Sequence, residues 1–362
     1  MFQFAYFPYF PSPNIKIVDV KVNRIHIFNF AELKDKYIND LRIRNRIQQL
    51  CSMYVDSNGE PSNQIAIAVI DDNYSFNVLS NEQIEDLHNY AMALLFCSLV
   101  NNKQNGAWAS EHFKLYHQNF DLTSDMITYE TGSYIKLAHT VRVSEKKFHS
   151  PDYVFDSIFY SFDKKLFAAL ANLIDAGNPD DQFIFKALDW VKLAFSNSEG
   201  VSMANRLVML CTAFEVFFKL PRNNKEAEFV QRLGDLLGVS TMELLDDNHS
   251  IVGTGHPKIS RKTKDGRDKM ETIYGWWARD FYWVRSEIVH TGDLASEDYV
   301  NHNKVPHHEL ALKMLRFCLY RALERQNYLN YEVKPELGDF HDFDRLWTMI
   351  ELRKIERLIA TK

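Results

Sequence analysis

The chain has few of the features that mark secreted, membrane-bound or fibrous proteins. Four cysteines, Cys51, Cys97, Cys211 and Cys318, are spread over 362 residues with no CxxC pair. That spacing gives no disulfide framework and fits reduced thiols. There is no low-complexity segment and no internal repeat. The longest apolar run, AMALLFCSLV, is about half what a bilayer span needs, so no membrane partner is expected. The opening MFQFAYFPYFPSP carries aromatics and three prolines but no basic stretch, and does not read as a signal peptide. The expected compartment is therefore the cytoplasm. Positive charge is not in excess either: the formal net charge is -6, which argues against a general nucleic-acid coating protein but leaves room for one local basic site.

Several catalytic signatures are missing as well. There is no GxSxG elbow, and GTGHPK lacks the spacing of a phosphate-binding loop. His308-Glu309 starts like a zinc-protease helix, but Leu312 stands where the second histidine belongs. His302, His307 and His308 have no cysteine or acidic partner at ligand spacing, and read as surface and cap residues near Pro306. No metal site and no cofactor are expected.

What is present is an ordinary globular composition, 46% hydrophobic, 25% charged and 14% aromatic, over a length that suits two domains. Residues 1–150 read as a strand-rich mixed domain. IKIVDVKVNRIHIF alternates, and IAIAVI and YSFNVL flank the turn signal Asp71-Asp72-Asn73 as a hairpin. One helix interrupts the strands, NEQIEDLHNYAMALLFCSLV, with Ser80 or Asn81 as its cap. MITYET and SYIKLAHTVRV return to strand pattern.

After His149-Ser150-Pro151 the pattern turns helical. DKKLFAALANLIDAG ends at or just before Gly177, and Asn178-Pro179 breaks the chain. QFIFKALDWVKLAFSNS, SMANRLVMLCTAFEVFFKL and KEAEFVQRLGDLLG follow as helices, then STMELLDD as a short one capped by Ser240 or Thr241. A polar loop leads to a helix over 270–290, and PHHELALKMLRFCLYRALERQNYL is the last long one. The fold class is thus α+β: a strand-rich domain over 1–150, an all-α bundle over 151–335, and a helical extension over 336–362.

The helix over 270–290 carries two stripes. Ile273, Trp277, Phe281, Val284 and Ile288 form a core-facing one. Trp276, Arg279, Trp283, Ser286 and His290 repeat at three, four, three, four, a heptad seam in which arginine and histidine are unusual. Two stripes call for packing on two sides, one against the chain's own bundle, with a second chain as candidate for the other. Arg285 lies on the edge of the first stripe, about 140° around the axis from His290. Gly292 is a natural C′ residue, and unwinding of the helix end would bring the imidazole round. Taken alone, the histidine is a cap beside the helix dipole, and the arginine pairs with Asp280 or Glu287.

Arg285-Ser286-Glu287-Ile288-Val289-His290, followed by Thr-Gly, with NRLVMLCTAFEVFFKL and KEAEFVQRLGDLLG upstream, resembles the ApeA-like HEPN family over about residues 180–330. The resemblance implies a helical HEPN-like bundle and metal-independent RNA cleavage leaving a 2′,3′-cyclic phosphate. It places Arg285 and His290 in the catalytic motif, with Ser286 where asparagine, aspartate or histidine is common, and Glu215 and Arg232 at recurrent polar positions. Glu287 is a further supporting candidate. A two-fold homodimer would supply two histidines and two arginines to one composite cleft. The resemblance also implies a place in antiphage defence or a toxin system, a phage-derived or system-encoded activator, and tRNA or mRNA as target. Lys258, Arg261, Lys262, Lys264, Arg267 and Lys269 form the one basic run, which either tracks an RNA backbone or is a solvated loop. The alternative is a non-catalytic HEPN-fold module for nucleotide or RNA binding or for assembly.

Overall fold

A computed structural model describes residues 1–10, 18–56, 58–100, 112–124, 126–131, 138–142, 147–149, 162–196, 201–237, 243–245, 251–254, 258–262, 268–292 and 306–329. The extension over 336–362 lies outside the described residues, as do Lys264, Arg267 and His302. The chain is mixed, an N-terminal antiparallel sheet followed by a mostly helical C-terminal region. It divides into two compact units, Met1–Leu188 with Phe195–Ser198, and Asp189–Ala194 with Glu199–Lys362.

In the first unit, seven strands order as β2-β3-β5-β1-β6-β7-β8, every pair antiparallel. They are β1 (Phe2–Phe7), β2 (Asp19–Val22), β3 (Ile25–Asn29), β5 (Ala66–Ile70), β6 (Tyr116–Phe120), β7 (Met126–Thr131) and β8 (Ala138–Arg142). β4 (Tyr54–Val55) and β9 (Phe148–His149) make a separate short parallel pair. Alternation along β1 sends Phe4 and Tyr6 into one core, with Phe28, Ile67, Val69 and Phe120. Helices α1 (Phe30–Tyr37) and α2 (Leu41–Cys51) close that core through Phe30, Ile43, Ile47 and Leu50. Neither helix is expected from the strand-like reading of the first 80 residues. Asn29 and Asp40 cap them through side-chain oxygens, and that cap chemistry was the signal available.

The hairpin expected across Asp71-Asp72-Asn73 does not form. β5 is already flanked by β3 and β1, so no edge is open to YSFNVL. Asp71, Asp72 and Phe76 take positive φ, which ends the extended run, and the Phe76 carbonyl accepts from the Gln3 amide at 2.8 Å. Helix α3 (Asn81–Leu99) starts with Ser80 in a full capping box with Gln83. Helix α4 (Lys164–Ala176), ended by Gly177 at φ 60°, packs against α3. The change to helical pattern after residue 150 is therefore a change of secondary structure inside the first unit. The unit boundary itself falls within α5 (Gln182–Ala194).

In the second unit, α6 (Met203–Phe217), α7 (Lys225–Leu237), α8 (Ile273–Thr291) and α9 (His307–Arg325) pack on one another. Phe214, Phe229, Trp277 and Phe281 meet at their centre, Trp277 and Phe281 stacked at 5.1 Å. STMELLDD is not helical where it is described: Glu243–Leu245 is β10, paired with β11 (Ile251–Thr254). The polar loop is likewise an antiparallel ribbon, β12 (Lys258–Lys262) with β13 (Asp268–Thr272). For β7, β8 and β10 to β13 only the backbone is described.

Candidate functional site

Helix α8 follows β13 with no intervening residue, so the basic ribbon leads straight into the motif helix. Four members of the predicted core stripe, Trp277, Phe281, Val284 and Ile288, are buried; the side chain of the fifth, Ile273, lies outside the described residues. Each such side chain contributes about 1.5–3 kcal/mol on leaving water, which holds the helix in place. The helix stays regular through His290 to Thr291. It stops at Gly292, whose φ of 85° suits glycine and whose amide donates to the Ile288 carbonyl at 2.9 Å. The expected unwinding does not occur. Arg285 and His290 keep the roughly 140° divergence of an unbroken helix.

Arg285 turns inward to a cluster that only the fold assembles. Its Nε lies 3.9 Å from Glu215 Oε1, in the last turn of α6, and is buried with no hydrogen-bond partner among the described residues. Its guanidinium carbon stands 5.7 Å from the Tyr282 ring centroid. Tyr282 donates its hydroxyl to the same Glu215 oxygen at 3.3 Å, while Lys225 Nζ holds Oε2 at 2.5 Å. Burial, then the Glu215 charge, pushes the Tyr282 phenol up to about 12. Burial likewise pushes the neighbouring Cys211 thiol up, so it is no nucleophile. Two cations share one carboxylate here, leaving a surplus positive charge beside the motif.

Glu215 thus stands next to the arginine, whereas Arg232 does not. Arg232 pairs with Glu228 at 3.0 Å and donates to the Phe218 and Lys219 carbonyls at 2.7 and 3.3 Å, closing the end of α6. Among the described residues neither Asp280 nor Glu287 forms an ion pair with Arg285; Asp280 instead lies 3.9 Å from His307 Nε2. Tyr282 and Lys225 were missed. Tyr282 is one turn before Arg285 and legible from that spacing, but nothing in the sequence brings Lys225 to Glu215.

The second stripe divides. Arg279 binds Glu226 of α7 at 2.5 Å, so it serves the chain's own bundle, and the side chain of Trp276 is not described. Trp283, 45% exposed, and His290 face solvent, with Ser286 half-buried. Among the described residues His290 has no hydrogen-bond or ion-pair partner. His307 and His308 correct another expectation, being buried rather than at the surface. Burial, then Arg206 and His307, pushes the His308 imidazole down to about 4. Of the basic run, the backbone places Lys258 opposite Thr272, Arg261 opposite Lys269 and Lys262 opposite Asp268. No three metal-ligating side chains cluster among the described residues, and no helix among them is long and apolar enough to cross a membrane. In comparisons with protein-family models, curated proteins and solved structures, the chain matches none.

Proposed function

We propose that the second unit is a HEPN-type endoribonuclease domain that cuts RNA without metal, as a two-fold homodimer. The observation that carries this reading is Arg285 in its setting. It is a half-buried guanidinium steadied by a carboxylate already shared with Lys225, on a helix that also presents an exposed histidine. Such an arginine is oriented and keeps N–H groups to hold phosphate oxygens. The imidazole of His290 is the kind of group that can take a proton from one reacting oxygen or give one to another.

In the proposed reaction the RNA 2′-oxygen attacks the adjacent phosphorus as a base takes its proton. The 5′-oxygen leaves with a proton from an acid. The products are a 2′,3′-cyclic phosphate and a 5′-hydroxyl. One histidine cannot be both base and acid in a single step, and on one regular helix Arg285 and His290 diverge. A second chain supplies the complement: its histidine takes the other proton role and its arginine faces the first histidine. Assignment to antiphage defence or to a toxin system, with tRNA or mRNA as target, rests on the sequence resemblance.

The competing reading is a HEPN-fold module that binds RNA or nucleotide without cutting it. Ser286, shorter than the residue common at that position, and the acidic net charge favour it. Arg285→Ala and His290→Ala decide between the two. Each is expected to cut RNA cleavage by about 10²-fold or more with an unchanged melting temperature, and the wild type to leave cyclic-phosphate ends in the presence of EDTA. Equal activity in wild type and variants would overturn catalysis by this motif. Activity lost in EDTA and restored by magnesium would point to another site.

A further inference from the structure

Lys225 stands in an unfavourable place. It is the first residue of α7, where the helix dipole favours negative charge, and Glu226 and Glu228 occupy the same turn. What compensates it is Glu215, in the last turn of α6, whose Oε2 accepts from Lys225 Nζ at 2.5 Å. The other oxygen, Oε1, accepts from the Tyr282 hydroxyl at 3.3 Å. Arg279 binds Glu226, the next residue after Lys225, at 2.5 Å, which ties the start of α7 to α8. The lysine is thus held beside the carboxylate by the packing of three helices.

Arg285 is the member left out. Its Nε stands 3.9 Å from Glu215 Oε1, within reach of the charge but beyond a hydrogen bond, and that Nε is buried without a hydrogen-bond partner among the described residues. Arginine and carboxylate otherwise close into a two-pronged pair with N···O distances of about 2.7–2.9 Å. A shift of about 1 Å would make that pair here. Both oxygens of Glu215 are already taken. An arginine locked into the pair would turn its N–H groups to Glu215 rather than to a phosphate. The lysine on Oε2 is what separates an available arginine from a captured one.

We propose that Lys225 is a positioning residue for Arg285: by gripping Glu215 it keeps the carboxylate from capturing the guanidinium, and so leaves the Arg285 N–H groups to an RNA phosphate. This role rests on the reading of Arg285 as the phosphate-holding group of an RNA-cleaving domain. Lys225 touches no substrate; it acts through Glu215.

The test compares full-length wild type with Lys225→Met, Lys225→Arg, Lys225→Met plus Glu215→Gln, and Lys225→Met plus Glu228→Gln. Two readouts need no cleavage: anisotropy titration with a 2′-O-methyl RNA oligonucleotide, which has no free 2′-hydroxyl to attack, and a crystal structure of Lys225→Met. Lys225→Met should bind the oligonucleotide about tenfold more weakly and cut RNA about tenfold more slowly. Its melting temperature should hold or rise, because a cation leaves the start of a helix. Its structure should show Glu215 and Arg285 joined at about 2.8 Å. Lys225→Gln is a second neutral variant with the same expected losses, and Lys225→Arg should keep wild-type binding. Adding Glu215→Gln to Lys225→Met should restore most of the binding and cleavage, since a neutral amide holds a guanidinium far more weakly than a carboxylate does. Adding Glu228→Gln returns the same charge nearby but leaves Glu215 ionised, and should restore neither.

Equal rescue by the two second changes would make Lys225 a bulk charge and overturn the role. So would Lys225→Met binding and cutting like wild type. Failure of Glu215→Gln to restore binding would overturn it too, since Lys225 would then be touching the RNA itself. A wild type that binds the oligonucleotide but cuts no RNA, with the same pattern among the variants, would sink the cleavage reading and uphold the role of Lys225. A wild type that does not bind the oligonucleotide would overturn both.

Discussion

At the scale of single residues, the partners of charged groups were the least legible feature. Asp280 and Glu287 are near Arg285 in sequence, yet Glu215, seventy residues away, is the carboxylate beside it. A helix fixes which residues share its own faces and says nothing of which helix lies opposite. His308 gives a residue-scale prediction. Its folded imidazole is pushed down to about 4, against about 6.5 in the unfolded chain. Between those values the unfolded chain binds more protons, so stability present above about pH 6.5 is lost as pH falls toward 4. Thermal melts of wild type and His308→Gln across this window should converge as pH falls, because the variant lacks that loss. Parallel pH profiles would show that His308 titrates normally.

At the scale of elements, helices with caps and apolar stripes were readable, and exposed polar stretches were not. Ser80, Gly177 and Gly292 each mark a helix end where the sequence signal stands. YSFNVL alternates like a strand and is not one, because pairing needs an open edge and β5 has none. Lys258–Lys262 and Asp268–Thr272 read as loop because charged residues carry little strand signal, yet they pair along five registers. That ribbon carries Lys258, Arg261, Lys262 and Lys269 of the basic run ahead of α8. Neutralising Lys262, Lys264 and Arg267 together should weaken RNA binding and reduce the salt slope of log K by about two to three, roughly 0.7–0.9 for each lost phosphate contact. Binding measured from low to moderate salt checks this; an unchanged slope would make the ribbon a solvated surface.

At the scale of the whole molecule, the proposed reaction depends on a second copy. Trp283 and His290 stay exposed on α8 while Arg279 is drawn to Glu226, so the face left for a partner is the C-terminal part of the seam. If each cleft needs both histidines, one dead subunit silences its partner. Wild type and His290→Ala mixed in equal amounts and allowed to exchange should retain about a quarter of the all-wild-type activity. Independent sites would retain about half. Differently tagged chains, a demonstration of exchange and a cleavage assay separate the two, and a monomer at assay concentration would rule out the shared site.

The sequence by itself determined the order of most elements, the buried stripe of α8 and the residues of the arginine–histidine motif. Local periodicity and capping carry that information, and both are properties of neighbours along the chain. The tertiary structure alone decided which strands neighbour β5, that α4 belongs with the sheet, and that Glu215, Lys225 and Tyr282 converge on Arg285. These are contacts between residues far apart in sequence, fixed by which apolar faces bury one another, and no periodicity within a single element records them.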